Sequence, residues 1–206
     1  MTLQTLRAQV SACALAGAAA VLCLTGLAPA QAAESTAAPS PAGTLPAIAG
    51  PLQAIPSLDL PRYMGRWHEL ARYPNRFQKQ CAGAATADYS LLATGHVQVV
   101  NRCPRPDGTV DEAVGEARRV GPEGSATLQV RFAPAWLSFL PQVWGAYWVV
   151  ELDTGYQLAV VSEPRREFLW VLSRTPSLPA NEWAALNARL QALGFEPARL
   201  IRSTAP

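Results

Sequence analysis

The sequence predicts an all-β fold: an eight-stranded antiparallel up-and-down β-barrel with one C-terminal α-helix packed outside it. Three observations predict it. Short segments of alternating apolar and polar residues recur between turn signals, the rhythm of a sandwich or barrel. Eight such segments fit between Trp67 and Ser173, the number that closes a barrel around one small ligand. Counting the turns also returns the last strand to the end where the first one starts, as closure requires.

The N-terminus precedes this domain. Arg7 is the only charge before Glu34, and an apolar run from Ala12 to Leu27 leads into Ala28-Pro-Ala-Gln-Ala-Ala33. Small residues at Ala30 and Ala32 make an A-x-A cleavage site, so residues 1–33 are expected to be an export signal peptide. An uncleaved anchor is the competing use of the run, which is borderline in length for a span. Neither early cysteine makes a good lipidation site. Cys23 lacks a small residue just before it, and the apolar core follows Cys13 rather than preceding it. Residues 34–57 are mostly Ala, Pro, Ser and Gly and are expected to be a flexible linker. The folded domain is placed at 58–206.

Within it the elements follow in order. Trp67–Tyr73 alternates, with Trp67, Glu69, Ala71 and Tyr73 on one face. Thr86–Leu92 and His96–Arg102 flank Ala93-Thr94-Gly95, a hairpin pattern. Val110–Val120 and Ala126–Phe132 flank Gly121-Pro-Glu-Gly124. Tyr147–Leu152 and Tyr156–Val161 flank Asp153-Thr154-Gly155, and Phe168–Ser173 comes last. From Ala180 the period changes to that of a helix. Trp183, Leu186, Leu190 and Leu193 form one apolar stripe, with Gly194 as its stop. A single stripe is expected to pack against the barrel wall.

Successive turns alternate between the two ends. With Gly65 and Trp67 at the base, Arg174 returns beside Trp67. A guanidinium over an indole face contributes roughly 0.5–2 kcal/mol, so Gly65, Trp67 and Arg174 are assigned to structure. The other end, the mouth, receives Pro74–Gln80, Pro104–Gly108, Ala133–Trp144 and Glu163–Glu167. Trp136, Leu137, Phe139 and Leu140 are too apolar for an ordinary surface loop. Three uses are open: a lid lining a ligand site, a contact with a membrane or a second copy of the chain, or local packing.

Composition and missing motifs exclude several classes. The formal charge is +2, the basic residues are scattered, and Lys79 is the single lysine, so no nucleic-acid partner is expected. No G-x-S-x-G, G-x-G-x-x-G or H-E-x-x-H motif occurs. His68 and His96 lie on different strands, so no metal and no cofactor are expected, and the chain is not expected to be an enzyme. Cys81 and Cys103 remain after signal cleavage, and an even pair in an exported domain is expected to form a disulfide at the mouth. Strict hairpin counting leaves them slightly out of register, to be absorbed by a bulge or bend. Glu69 shares the inner face with Trp67. Buried there, it needs partners, for which Tyr147 or an inward arginine qualifies.

Two segments carry a resemblance. Gly65-Arg-Trp-His-Glu-Leu-Ala-Arg72, with Leu169-Trp-Val-Leu-Ser-Arg-Thr-Pro176, resembles the signature of the lipocalins, in the branch of the bacterial outer-membrane lipocalin and apolipoprotein D. It extends over roughly Leu58 to Arg202, and His68 departs from the aromatic residue common in close relatives. The resemblance implies an apolar cup for fatty acids, lysophospholipids or similar amphiphiles, in the periplasm or secreted, with outer-membrane association in doubt. The expected ligand-binding residues are Glu69, Tyr73, Phe132, Trp136, Phe139, Tyr147 and Trp170, with the facing of Trp170 left open. A lipid- or isoprenoid-modifying enzyme on the same barrel and a pigment or tetrapyrrole binder are the alternatives.

Overall fold

The computed structural model describes residues 50–203. The expected signal peptide (1–33), most of the expected linker (34–49) and the last three residues lie outside the described residues.

Eight strands match the expected ones within a few residues: β1 (Gly65–Arg72), β2 (Thr86–Leu91), β3 (Val97–Pro104), β4 (Val110–Arg119), β5 (Thr127–Arg131), β6 (Gly145–Leu152), β7 (Leu158–Ser162) and β8 (Leu169–Ser173). Each pairs antiparallel with the next. β1 pairs with both β8 and β2, so the sheet closes into a barrel. A short strand β9 (Ile201–Arg202), which alternation is too brief to announce, adds to the edge of β1 that β2 leaves free.

Two helices complete the domain. The four-residue α1 (Leu60–Tyr63) forms because the Asp59 side chain accepts the Arg62 N–H at 3.2 Å and Pro61 pre-sets the first turn. The longer α2 (Ala180–Ala192) buries Trp183, Leu186 and Leu190 and ends at Gly194, whose φ is +80°. No helix among the described residues is long and apolar enough to cross a membrane.

The closed wall separates two cores. The inner one gathers Leu58, Tyr63, Trp67, Tyr89, Val97, Val99, Leu128, Val149, Val161 and Leu172. The outer one lies between the wall and α2 and holds Leu70, Ala71, Tyr73, Val160, Val171, Trp183, Leu186 and Leu190. Packing against the wall begins before Leu58. Leu52 is buried in the outer core, and the Ile55 N–H donates to the Val149 carbonyl at 2.8 Å. Leu52 and Ile55, near the end of the expected linker, thus already contact the wall.

One irregularity decides what the inner face carries. Glu69 pairs with Leu172 and Ala71 with Val171, so Leu70 is an extra residue in β1. Such a bulge reverses the alternation beyond it. Ala71 and Tyr73, expected to face inward with Trp67, instead join the outer core, and Arg72 takes the inner position opposite Trp170. A second bulge at Val150 turns Glu151 outward, where it pairs with Arg189 of α2.

Candidate ligand-binding site

The base is sealed by backbone acceptors. The Arg174 guanidinium lies 3.8 Å from the Trp67 ring centroid. Its N–H groups donate to the carbonyls of Arg66 (2.7 Å), Met64 (2.7 Å), Arg62 (3.1 Å) and Tyr156 (3.3 Å). Trp67 Nε1 donates to the Tyr63 carbonyl at 2.9 Å, and the ring is fully buried. Gly65 answers two needs at once. Its φ is +94°, and a Cβ there would stand 3.3 Å from Arg174 Nη1. Leu58 donates its N–H to the Gly124 carbonyl, and the Asp59 N–H donates to the Tyr156 hydroxyl at 3.1 Å, so the entering chain covers this end.

Inside, above Trp67, three tyrosines from three elements meet. The Tyr147 hydroxyl on β6 is 2.9 Å from that of Tyr63 on α1 and 3.1 Å from that of Tyr89 on β2. Burial raises the pKa of all three, that of Tyr89 to about 12. Around them the wall is mostly apolar, with Asn101 and, opposite Leu128, Arg119 as polar exceptions. Cross-strand partners point to the same face, which places Ala87, Asn101, Ala113, Gly115, Ala117 and Ala159 on the inside, mostly small residues. Gly115 leaves room for the Phe132 ring, which a Cβ would meet at 2.7 Å.

The mouth is held by side chains. Glu69 accepts from Gln78 Nε2 (2.5 Å), Ser203 Oγ (3.2 Å) and Arg72 Nη1 (3.3 Å). Burial pushes its pKa up, although Gln78, Arg72 and Ser203 all oppose the shift. Gln78 Oε1 accepts from Trp170 Nε1 at 3.0 Å and from Asn75 Nδ2 at 2.9 Å. The Trp170 ring stacks on Phe168, and Phe168 packs on Phe77. Arg72 is largely buried, and its Nε has no acceptor among the described residues. Cys81 and Cys103 form the expected disulfide. The Ala82 N–H donates to the Pro104 carbonyl, two residues off the register of β2 with β3, so the loop before β2 absorbs the mismatch.

Of the expected ligand-binding residues, the inner face holds Glu69, Tyr147 and Trp170, with Phe132 at its outer limit. Tyr73 is a correction. The bulge turns it outward, where its hydroxyl accepts the Glu196 N–H at 2.6 Å beside Phe195. Trp136 and Phe139 are 71% and 74% exposed, on a loop whose Trp144 is clamped outside the barrel by Arg118 and Arg131. Sequence reasoning missed Tyr63, Arg72, Gln78, Tyr89 and Ser203. Alternation with Ala87 marks Tyr89 as inward, whereas no local signal marks a bulge at Leu70.

The comparisons with known proteins agree with this geometry. Residues 58–205 match the family model of the lipocalin-like domain. Temperature-induced lipocalin-1 of Arabidopsis thaliana is 33% identical over 154 residues, which is 74% of this chain and 82% of the relative. Outer membrane lipoprotein Blc of Escherichia coli is 34% identical over 148 residues, 71% of this chain and 79% of the relative. Apolipoprotein D of Mus musculus is 30% identical, covering 68% and 73%. Among solved structures, insecticyanin of the tobacco hornworm Manduca sexta superposes with a TM-score of 0.59 at 17% identity, over 77% of this chain and 86% of that one, a likeness of fold. With the closed barrel, the Gly65–Trp67–Arg174 base and the outer helix, this match places the chain in the lipocalin-like family.

Proposed function

We propose that this protein binds a small amphiphile in its barrel and stores or carries it in the cell envelope. The observation that carries this reading is Arg72. It is a largely buried guanidinium at the mouth end of an apolar interior, with an Nε–H that has no acceptor among the described residues. A carboxylate or phosphate head group supplies that acceptor, while the chain below it leaves water at about 0.8 kcal/mol per CH₂. Fatty acids and lysophospholipids have this form. An exported location accords with the relatives called outer membrane lipoprotein Blc, and with residues 1–33 read as a signal peptide cut after Ala32 or a neighbour. The exposed Trp136 and Phe139 beside the mouth support contact with a membrane surface or a second copy of the chain.

The test is native mass spectrometry of protein purified after export of the full chain, followed by denaturation and lipid extraction. A bound fatty acid or lysophospholipid that added competitor displaces is the expected result. For Arg72→Gln we expect weaker binding of the acid and unchanged binding of the matching alcohol. A clean mass that resists loading with both lipid classes would overturn the reading.

A further inference from the structure

The three tyrosines deep in the barrel leave one donor unused. Three hydroxyls carry three hydrogens, and two contacts join them, Tyr63 to Tyr147 and Tyr147 to Tyr89. Each contact uses one hydrogen. Whichever way the bonds run, one O–H has no acceptor among the described residues. A buried donor without an acceptor is costly, and native interiors rarely tolerate one.

The surroundings define what would accept it. The Tyr63 ring lies 5.0 Å from that of Trp67 and stacks on Tyr89 at 5.8 Å, so the trio sits just above the sealed base. The Arg174 guanidinium at the base is already engaged by four carbonyls. Its charge favours ionisation of Tyr63 and Tyr89, yet burial outweighs it. The raised pKa values keep all three groups as neutral O–H donors at physiological pH.

We propose that the Tyr63–Tyr147–Tyr89 cluster is a second polar subsite, which takes an uncharged oxygen at the leading end of the bound chain. A ketone, ester carbonyl or ether oxygen fits. The ligand is then an amphiphile polar at both ends, its anionic head at Arg72 and a neutral oxygen at the tyrosines. This rests on the carrier reading above and narrows its substrate class.

The test uses delipidated protein from the full chain and displacement of a fluorescent fatty acid. Competitors are fatty acids of several chain lengths, each paired with its analogue bearing a ketone next to the terminal methyl. At the length that spans the two subsites the oxo acid is expected to bind about tenfold tighter than its parent, equivalent to about 1.4 kcal/mol. In Tyr63→Phe/Tyr89→Phe/Tyr147→Phe the two bind alike. In Tyr89→Phe alone the preference survives, because two hydroxyls joined by one contact still leave a free hydrogen. Should the triple variant not fold, the infrared ketone stretch of the oxo acid on wild-type protein decides. A shift to lower frequency supports the subsite, and a stretch at its alkane position overturns it. Equal affinity at every length on wild-type protein overturns the subsite and leaves the carrier reading standing. Failure of both acids to displace the probe sinks the carrier reading, and the subsite with it.

Discussion

At the base of the barrel one guanidinium, Arg174, gathers four backbone carbonyls beneath a buried indole. At the mouth one carboxylate, Glu69, gathers three side chains, from β1, from the loop after it and from Ser203 beyond β9. The two hubs differ in what they ask of the sequence. Carbonyls are present whatever the side chain, so the base needs only Gly65, Trp67 and Arg174 to be specific. The mouth needs each of Glu69, Arg72, Gln78 and Ser203. The hubs also differ in how they open. Backbone acceptors hold their places as long as the strands do, whereas a side-chain knot is undone by a rotamer change or a proton. A floor held by backbone and a rim held by side chains suit the carrier proposed above.

The strongest test of that contrast is Trp67→Ala. It removes a fully buried ring together with the surface on which Arg174 rests, and is expected to cost about 3–5 kcal/mol. Urea unfolding followed by circular dichroism measures it. Glu69→Ala should cost clearly less, and an equal or larger loss would show that the mouth, not the base, anchors the fold.

Next is the disulfide. Cys81→Ser with Cys103→Ser opens a link across 22 residues of sequence, for an expected loss of about 3 kcal/mol. Amide hydrogen exchange should speed up around residues 78–85 and 102–106 and stay unchanged in β1 next to Trp67. Acceleration at the base as well would mean that the two ends are one cooperative unit.

Most of the fold was legible because closure obeys periods that sequence carries: eight alternating runs, one helical stripe, and a turn count that joins Trp67 to Arg174. The site was less legible, for a local reason. Alternation is a running count, and the extra Leu70 resets it without a glycine or proline to announce the change. Everything on β1 before Leu70 was placed correctly, and Ala71 and Tyr73 after it were not. Arg72 was hidden by the same slip. Tyr63 was hidden differently, because a single turn of helix held by Asp59 is too short for any period to register. Tyr89 was within reach, since β2 alternates without interruption. Gln78 and Ser203 lie outside the strands, where a side chain's direction depends on contacts distant in sequence.

A smaller effect separates the ends by pH. Burial raises the pKa of Glu69, so the folded protein holds this proton more tightly than the unfolded chain does. Stability contributed by the protonated group is therefore lost as pH rises from the ordinary carboxylate range through the higher folded value. Against wild type, Glu69→Gln should show a flatter stability curve in that window, with a difference on the order of 1 kcal/mol. Unfolding midpoints measured across the window check it, and parallel curves would show that its hydrogen bonds offset burial completely.

Glu116, on the outer wall, is expected to show the opposite sign and the smallest effect. Its carboxylate bonds the His96 ring and, at 2.9 Å, Arg131, and these contacts hold its pKa below the ordinary range, with the His96 bond the largest cause. The stabilisation is present above the unfolded carboxylate pKa and fades as pH falls through the lower folded one. The side chain is 30% exposed, so solvent screens the pairs. Glu116→Gln should cost less than about 1 kcal/mol near neutral pH, and less still in high salt. The gap to wild type should close in acid. Ligand affinity should not move, because Glu116 alternates with the inward Gly115 and Ala117 and faces away from the cup. A Glu116 variant that changed affinity would mean that the outer wall and the mouth communicate, and the rim could then no longer be treated as a device confined to Glu69 and its partners.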